Sequence, residues 1–429
     1  MKEIVALSVR ELQRSQVLER VSRGALTLVS SARLLQVSYR QAKRLIARYR
    51  REGPAGMAHK RRGRPARNAL GAKIRDRILS LHAERYPNFN DTHFTEMLAD
   101  REGLKVGRET VRRWLRQAGI KPKRRRRPPQ HRSRRPRRPQ MGLLMQWDGS
   151  PHRWFGPERP PCSLLHAADD ATSVVLGALF RPTEDAIGYL KLIDAVVRDY
   201  GVPAAVYQDR HSALFRNDKR WTIEEELAGI RFPTHVGWVL EKLGVEPIPA
   251  FSPQAKGRIE RQGGTFQDRL IAEMALEGIT EIDEANLWLG HNFLPRYNAR
   301  FANSPEKSGS AFRKLSAAER YLAVCFAYEA SVANDNTICL RGLVIDIPPG
   351  PRQRSYARRR VEVRQHLDGA WTVWWEGQII AKHPATPLRE PFRMWRSREK
   401  GESQHVSHLV QVYLDTTPAP SKGTFLLGS

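Results

Sequence analysis

A tract of proline and arginine constrains this chain more than any other feature, because it cannot join a folded core. Residues 121–140 contain eleven Lys or Arg, five Pro and no periodic apolar positions. A segment of this kind buries too little apolar surface to offset the entropy of ordering it, so we expect an extended linker. The residues on either side of it must therefore build separate cores.

The balance of charge points to a polyanionic partner. The 429 residues include 73 Lys or Arg against 45 Asp or Glu, which gives a formal charge of +28 and a pI near 10.6. A charge of this sign and size favours nucleic acid, and we expect the basic linker to follow DNA phosphates. The length favours about three domains.

Composition also excludes several classes of protein. No run approaches the roughly 20 apolar residues of a membrane helix, and the first residues lack the apolar core of a secretory signal. We expect a cytoplasmic protein that does not bind membranes. The three cysteines, Cys162, Cys325 and Cys339, lack the paired spacing of a disulfide framework or a zinc finger.

Residues 1–56 have the pattern of a helix-turn-helix domain. Helices are predicted over 11–24, 30–36 and 39–53, with Ser38 as the N-cap of the third. Basic residues at three-to-four spacing form one face of that third helix, available to phosphates and base edges: Arg40, Lys43, Arg44 and Arg48. A helical bundle with a solvated basic rim has the same pattern, and the overall charge favours the DNA-binding interpretation.

Residues 57–120 repeat the pattern, which predicts a second helix-turn-helix domain. Helices are expected over 72–86, 91–103 and 107–120, with Asp91 as an N-cap and Trp114 in the core. The third helix is again basic, with candidate DNA-binding residues Arg108, Arg112, Arg113 and Arg116. Two such domains in tandem would lengthen the footprint on DNA.

The pattern changes at Met141 to short apolar runs that alternate with helical segments. Strands are predicted over 142–147, 162–168 and 173–180, then a helix over 182–201 and a parallel strand over 204–208. This order predicts an α/β core with a mixed sheet over 141–302, the order that ribonuclease-H-like domains use.

The remaining residues are predicted to form two further structured segments and a tail. A helical connector over 303–334 carries a helix at 316–330, and alternating runs broken by glycine predict a small antiparallel β-barrel over 335–395. Trp371 and Trp375 are expected to face the core of its sheet. The last residues, 396–429, are expected to be loose.

Three carboxylates stand in contexts suited to metal binding. Asp148 and Asp209 each follow a predicted strand, and Glu260 lies on a predicted helix. Carboxylates that converge at strand ends repel one another unless a cation joins them, and oxygen ligands favour Mg²⁺ or Mn²⁺. Two such ions can activate an attacking oxygen and stabilise the leaving oxygen of a phosphodiester. Taken singly, each acid is also typical of a turn, a cap or a solvated surface.

Other polar residues near these acids have competing interpretations. The basic residues beside Glu260 are candidates for holding a DNA backbone: Lys256, Arg258 and Arg261. Asp169 and Asp170 are predicted to be structural, because they begin a turn. His211 is suited equally to a phosphate contact and to a hydrogen bond within its loop.

The motifs QWDGS, DDAT, YQDRHS and SPQAKGRIERQGGTFQDRL together resemble the integrase-core transposases of bacterial insertion sequences, in particular the ISNCY-type group. The resemblance implies a ribonuclease-H-like core with an Asp-Asp-Glu triad formed by Asp148, Asp209 and Glu260. It also implies Mg²⁺-dependent hydrolysis at transposon ends, followed by attack of the freed 3′-hydroxyl on target DNA.

Two further expectations accompany that resemblance. An enzyme that holds two DNA ends together is expected to act as a homodimer or larger assembly on double-stranded DNA. A catalytically inactive DNA-binding regulator, and a metal-dependent nuclease without strand transfer, remain alternatives that the residues themselves allow.

Overall fold

The computed structural model describes residues 6–60, 70–123, 128, 135–209, 211–215, 226, 233–250, 253–389 and 391, with residues 253–256 described by their backbone alone. The predicted tail at 396–429 lies outside the described residues. The chain divides into two compact units, Met1–Ser80 and Leu81–Ser429.

The first unit contains the three helices that the sequence predicted. They are α1 (Val9–Ser22), α2 (Leu28–Leu34) and α3 (Tyr39–Glu52), followed by a 3₁₀ turn at Gly53–Met57. The Ser38 hydroxyl accepts a hydrogen bond from the Gln41 amide and caps α3, as predicted. Apolar side chains from α1, α3 and the turn form the core of the unit: Leu18, Leu45, Ile46 and Met57.

A second set of helices follows. Helix α4 (Ala72–Glu84) spans the division between the units, and α5 (Asp91–Asp100) and α6 (Arg108–Gln117) lie in the second unit. Trp114 is buried, which confirms its predicted place in the core. The predicted N-cap was wrong by one residue, because the Asn90 side chain accepts hydrogen bonds from the Thr92 and His93 amides and Asp91 is already helical.

A five-stranded mixed sheet forms the centre of the second unit. Its strands are β1 (Met145–His152), β2 (Cys162–Asp169), β3 (Val175–Arg181), β4 (Ala205–Gln208) and β5 (Glu246–Pro249). Their order is β3-β2-β1-β4-β5, with β1, β2 and β3 antiparallel and β4 and β5 parallel to β1. The predicted mixed sheet is confirmed.

Helices cover both faces of this sheet. One face packs on α7 (Ala186–Asp199) and α8 (His235–Leu243). The other packs on α9 (Pro253–Glu277), α10 (Ile282–Trp288), a π-helical turn at Leu289–Phe293, and α11 (Leu294–Phe301). Coverage of both faces buries β2 along its whole length, including the polar Ser163 and His166.

The C-terminal region corrects two predictions. The helix predicted over 316–330 ends early: α12 covers only Ala317–Ala323, and Cys325–Ser331 is strand β6. A short buried apolar run fits a strand as well as a helix, and here cross-strand pairing with Arg360–His366 decided it.

The remaining strands are β7 (Thr337–Leu340), β8 (Leu343–Asp346), β9 (Arg360–His366), β10 (Trp371–Trp375) and β11 (Gln378–His383). They form an open four-stranded sheet, β11-β10-β9-β6, and a separate β7-β8 ribbon. The predicted closed barrel is therefore not confirmed, since no strand pairing closes it within the described residues. Trp371 and Trp375 pack on the apolar core, whereas the Trp374 ring lies under the Arg364 guanidinium.

None of the helices described is long and apolar enough to cross a membrane.

Candidate active site

Asp148 and Asp209 lie on neighbouring parallel strands. Met145 pairs with Val206 and Gln146 with Tyr207, so the same register two residues further places Asp148 beside Asp209. Asp209 directly follows β4, as predicted, but Asp148 lies within β1 instead of after its end. The sheet therefore brings the two carboxylate-bearing positions together.

Side chains along β1 alternate between the two faces of the sheet, and this alternation decides which face Asp148 lies on. Met145 and Trp147 join the apolar cluster on the α7 side. Ser150, on the opposite face, accepts a hydrogen bond from Gln267 of α9 at 3.1 Å. Because side chains alternate along a strand, Asp148 faces α9 with Ser150.

Helix α9 crosses the sheet beside this position. His166 is the cross-strand partner of Asp148 on β2, and its Nε2 lies 3.5 Å from the Ile259 carbonyl oxygen. The His166 ring also packs against the Phe266 ring at a centroid distance of 5.2 Å. A Cβ added to Gly263 would lie 3.6 Å from this ring, an ordinary van der Waals contact, so the helix passes directly over His166.

Glu260 follows Ile259 on this helix, as predicted. Its side chain is exposed, and no hydrogen bond between described residues joins it to Asp148 or Asp209. Within the described ranges, no group of three His, Cys, Asp or Glu side chains is arranged to hold a metal ion. The fold therefore carries Glu260 on the helix that crosses beside Asp148 without bringing its carboxylate into a ready-made site.

A third carboxylate, which the sequence pattern did not indicate, lies near enough to the two aspartates to feel their charges. Glu184 precedes α7, and a Cβ added to Gly149 of β1 would lie 2.1 Å from its Oε2 atom. The Tyr189 hydroxyl donates a hydrogen bond of 2.6 Å to Glu184. Burial raises the pKa of Glu184, and the negative charges of Asp209 and Asp148 raise it further. The available signal was Gly149, since a glycine inside a strand marks close approach by another group.

His211 makes contacts that match the loop interpretation. Its backbone amide donates to Asp209 Oδ1 at 2.9 Å, and its Nδ1 accepts from the Ala213 amide at 3.4 Å. The same Nδ1 lies 3.5 Å from a Glu184 oxygen. These contacts hold the loop after β4 next to the carboxylates.

The chemical type of the predicted ligands fits a hard divalent cation. Asp148, Asp209 and Glu260 carry only carboxylate oxygens, which are the ligands that Mg²⁺ and Mn²⁺ prefer over zinc. Glu184 approaches β1 from its opposite, α7 side. Burial is the main cause of the raised pKa of Glu184, and the negative charges of Asp209 and Asp148 add to it. A cation beside the two aspartates would offset those negative charges.

Asp169 and Asp170 are structural, as predicted. Asp169 accepts hydrogen bonds from the Gly142 amide and from both the amide and the hydroxyl of Thr172. Burial works against the charge of Asp170, but a hydrogen bond and the charge of Arg135 lower its pKa below the usual value. The two acids fix the turn after β2.

Asp170 also engages two groups that were expected to face DNA. Arg258 of α9 donates to Asp170 Oδ1 at 2.5 Å, so its position is internal. Arg135, from the predicted linker, donates to the same oxygen at 2.5 Å. Residues 135–140 therefore dock on the sheet, while 124–127 and 129–134 lie outside the described residues. The Lys256 side chain is also outside them, and Arg261 is exposed.

The two basic third helices use their charges differently. On α3, Arg40, Lys43 and Arg44 are exposed and Arg48 is partly buried. On α6, Arg116 donates to Asp91 at 2.5 Å and Arg112 to Glu109 at 2.5 Å, while Arg108 and Arg113 are exposed.

The chain is similar to helix-turn-helix family models and to two proteins named as transposases. Two family models match its N-terminal part, a helix-turn-helix domain over residues 13–66 and a homeodomain-like domain over residues 41–115. The putative transposase y4bF of Sinorhizobium fredii is 38% identical over 379 residues, which cover 88% of this chain and 81% of that protein. The transposase for insertion sequence IS1202 of Streptococcus pneumoniae is 29% identical over 335 residues, 70% of each chain.

Among solved structures, a chain of the simian T-cell lymphotropic virus intasome in complex with PP2A regulatory subunit B56 gamma is 13% identical. The match covers 73% of this chain and 100% of that chain, with a TM-score of 0.29. A superposition of this quality carries no argument about the fold.

Proposed function

Because this chain belongs to the transposases of bacterial insertion sequences, we propose that it binds the DNA ends of its element, nicks them, and joins the freed 3′-hydroxyl to target DNA. The observation that carries this proposal is the placement of Asp148 beside Asp209 on adjacent parallel strands, with the helix that bears Glu260 crossing at His166. This arrangement supports a site formed by Asp148 of β1, by Asp209 directly after β4, and by Glu260 of the neighbouring helix.

The proposal treats the mixed sheet as a ribonuclease-H-like core. Its strand order, β3-β2-β1-β4-β5 with three antiparallel strands and two parallel additions, supports this assignment. Asp148, Asp209 and Glu260 form the catalytic triad in this proposal, and Glu184 supports the two aspartates from the α7 side.

Two Mg²⁺ or Mn²⁺ ions are the proposed cofactors. Asp148, Asp209 and Glu260 would hold them, and such ions supply activation of the attacking oxygen and stabilisation of the leaving oxygen. The protein's own contribution is positional. His211 ties the loop after β4 to Asp209, and packing of α9 on His166 fixes the backbone of Glu260.

The proposed DNA contacts come from exposed basic side chains. Helix α3 offers Arg40, Lys43 and Arg44, α6 offers Arg108 and Arg113, and Arg261 lies one residue beyond Glu260. Both DNA ends must be held at once for joining, so the active form is proposed to be a homodimer or a larger assembly on DNA.

The test is an end-cleavage and joining assay with Mg²⁺ and DNA that carries the element ends. Wild-type protein is expected to nick the 3′ ends and to form joined products, and Asp209→Asn to bind ends without either reaction. Asp346→Asn is the matched control, because Asp346 is exposed on the C-terminal ribbon.

Each outcome separates one alternative. Binding without cutting by the wild type would show a DNA-binding regulator, and cutting without joining would show a nuclease. Full activity of Asp209→Asn would refute the proposed role of the triad.

A further inference from the structure

A polar cavity of about 210 Å³ lies next to the candidate active site, between the end of β2, the first turns of α9, and α11. Its lining includes the glutamines Gln146 and Gln262, the apolar side chains of Ile259, Tyr297 and Phe301, three arginines, and the two structural aspartates. The volume suits one planar group of the size of a nucleobase.

The cavity is joined to the acids by sequence and by strand geometry. Gln146 lies two residues before Asp148 on β1, so the two share a face of the sheet. Ile259 and Arg261 are the immediate neighbours of Glu260 on α9. One bound molecule could therefore occupy the cavity and also reach Asp148 and Glu260.

The inner wall offers unused hydrogen-bond acceptors. Gln146 is 2% exposed and its Nε2 donates to Asp170 at 2.6 Å, while Gln262 is 8% exposed and its Nε2 donates to the Ser173 carbonyl at 3.2 Å. Both amide groups are oriented by these bonds. The Oε1 atom of each has no hydrogen-bond partner among the described residues, which is costly for a buried polar atom.

The cations around the cavity do not make it an anion site. Arg258 is used by Asp170, and Arg137 donates to the Asp170 carbonyl and the Ser173 hydroxyl at 2.8 Å each. Arg261 and Arg137 are both exposed, and no hydrogen bond between described residues commits Arg261 to the rim of the cavity as those of Arg137 do. Buried carbonyl oxygens repel a phosphate but accept hydrogen bonds from N–H groups.

We propose that this cavity binds one unpaired nucleobase of the DNA end, with the amine or ring N–H of the base donating to Gln146 and Gln262. The rings of Tyr297 and Phe301 and the Ile259 side chain supply the apolar contact that a base requires. The attached phosphate lies toward Arg261. The inference rests on the proposed function, since it assumes that the acids act on DNA.

The acceptor pair also predicts which base is preferred. Guanine presents a ring N–H and an amine side by side, whereas thymine presents a single ring N–H flanked by two carbonyl oxygens. Guanine is therefore expected to bind most tightly and thymine most weakly.

Binding of single nucleotides to the full-length protein tests this without catalysis. The probes are dGMP, dTMP and inorganic phosphate, titrated in EDTA and followed by saturation-transfer NMR and calorimetry. Wild-type protein is expected to bind dGMP at least about tenfold more tightly than dTMP, since a site that pairs with polar groups rejects a ligand lacking them.

Three variants locate the effect. Gln262→Leu is expected to abolish the preference for dGMP, and Gln267→Leu, on the same helix but outside the cavity, to preserve it. Arg261→Gln is expected to weaken both nucleotides equally and leave their ratio unchanged. If Gln262→Leu does not fold, the ratio measured on the wild type still decides the matter.

Equal binding of dGMP, dTMP and inorganic phosphate would overturn the proposal, as would the absence of saturable binding or an unchanged preference in Gln262→Leu. Cleavage of element ends without base preference would reject the cavity alone. Base preference without cleavage would reject the proposed chemistry and leave the cavity assigned.

Discussion

The two N-terminal helical regions share one sequence pattern, but the basic side chains of their third helices differ in whether they form ion pairs within the protein. In the first, α3 presents Arg40, Lys43 and Arg44 to solvent, and no carboxylate of a described residue pairs with them. In the second, α6 commits Arg116 to Asp91 and Arg112 to Glu109. The two basic helices therefore differ in how many of their charges already have a partner within the protein.

The second region differs further in being docked on the core of its own unit. His93 of α5 makes a buried hydrogen bond of 2.9 Å to Glu273 of α9. Arg269 of α9 donates to both oxygens of Glu96, and Arg300 of α11 reaches Glu96 at 2.7 Å. These contacts fix α5 against the helix that carries Glu260, so the second region also serves as a scaffold for the site.

The largest effect is expected from removing the central cation of that docking surface. Arg269→Ala leaves Glu96 partly buried beside Arg300 alone, and breaking a buried pair costs about 3 kcal/mol or more. Urea unfolding should show the loss in the second unit, and the exposed Arg50→Ala in the first should change stability by less than about 0.5 kcal/mol. Equal stability of Arg269→Ala and wild type would show that α5 is not held by these pairs.

Acid is expected to weaken the same surface. Burial lowers the pKa of His93 below its ordinary 6.5, and hydrogen bonding to His93, with the charges of His93 and Arg296, lowers the pKa of Glu273 below 4.5 despite burial. Both groups bind more protons when unfolded, so the free energy of unfolding falls as the pH drops below about 6.5, and further below 4.5.

The pH effect of His93 alone is expected to lower the free energy of unfolding between neutral pH and about pH 5, because the unfolded state then binds a proton that the folded state resists. Hydrogen exchange of the α5 amides measures it. His93→Gln should flatten the dependence in this range, and the exposed His291→Gln should not. A dependence that persists in His93→Gln would assign the titration to another group.

The difference between α3 and α6 in DNA binding is expected to be a smaller effect, and it can be measured directly. Arg44→Ala should weaken binding to element ends and reduce the salt slope by about one, as for the loss of one phosphate contact. Arg112→Ala should have a lesser effect, because its guanidinium already pairs with Glu109. Anisotropy titrations over a range of salt concentrations would detect the difference, and equal losses in the two variants would remove the distinction between the helices.

The smallest effect concerns how each basic helix begins. The Ser38 hydroxyl caps α3, whereas Gly107 precedes α6 with no side-chain cap. Ser38→Ala should destabilise the first unit by about 1 kcal/mol, and Gly107→Asp should stabilise α6 by a few tenths. Thermal unfolding of both variants measures these changes in stability. An unchanged stability of Ser38→Ala would show that the Ser38 cap does not stabilise α3.

Local pattern was sufficient for a large part of the fold. Apolar periodicity predicted α1, α2 and α3 and the order of the central strands, because each element buries its own apolar face. The same reasoning failed at Cys325–Ser331, where a short buried run became a strand through pairing with β9. The position of Asp209 followed from the end of β4, a local signal as well.

The sequence by itself therefore determined the positive charge of the chain, its N-terminal helices, its mixed sheet and the place of Asp209 directly after a strand. Only the tertiary structure decided that Glu184 fills the space opposite Gly149, that Arg258 and Arg135 converge on Asp170, and that α5 docks on α9. The physical reason is the range of the forces involved. Periodicity and capping act within a few residues, whereas buried charges select partners that the fold brings together across the chain.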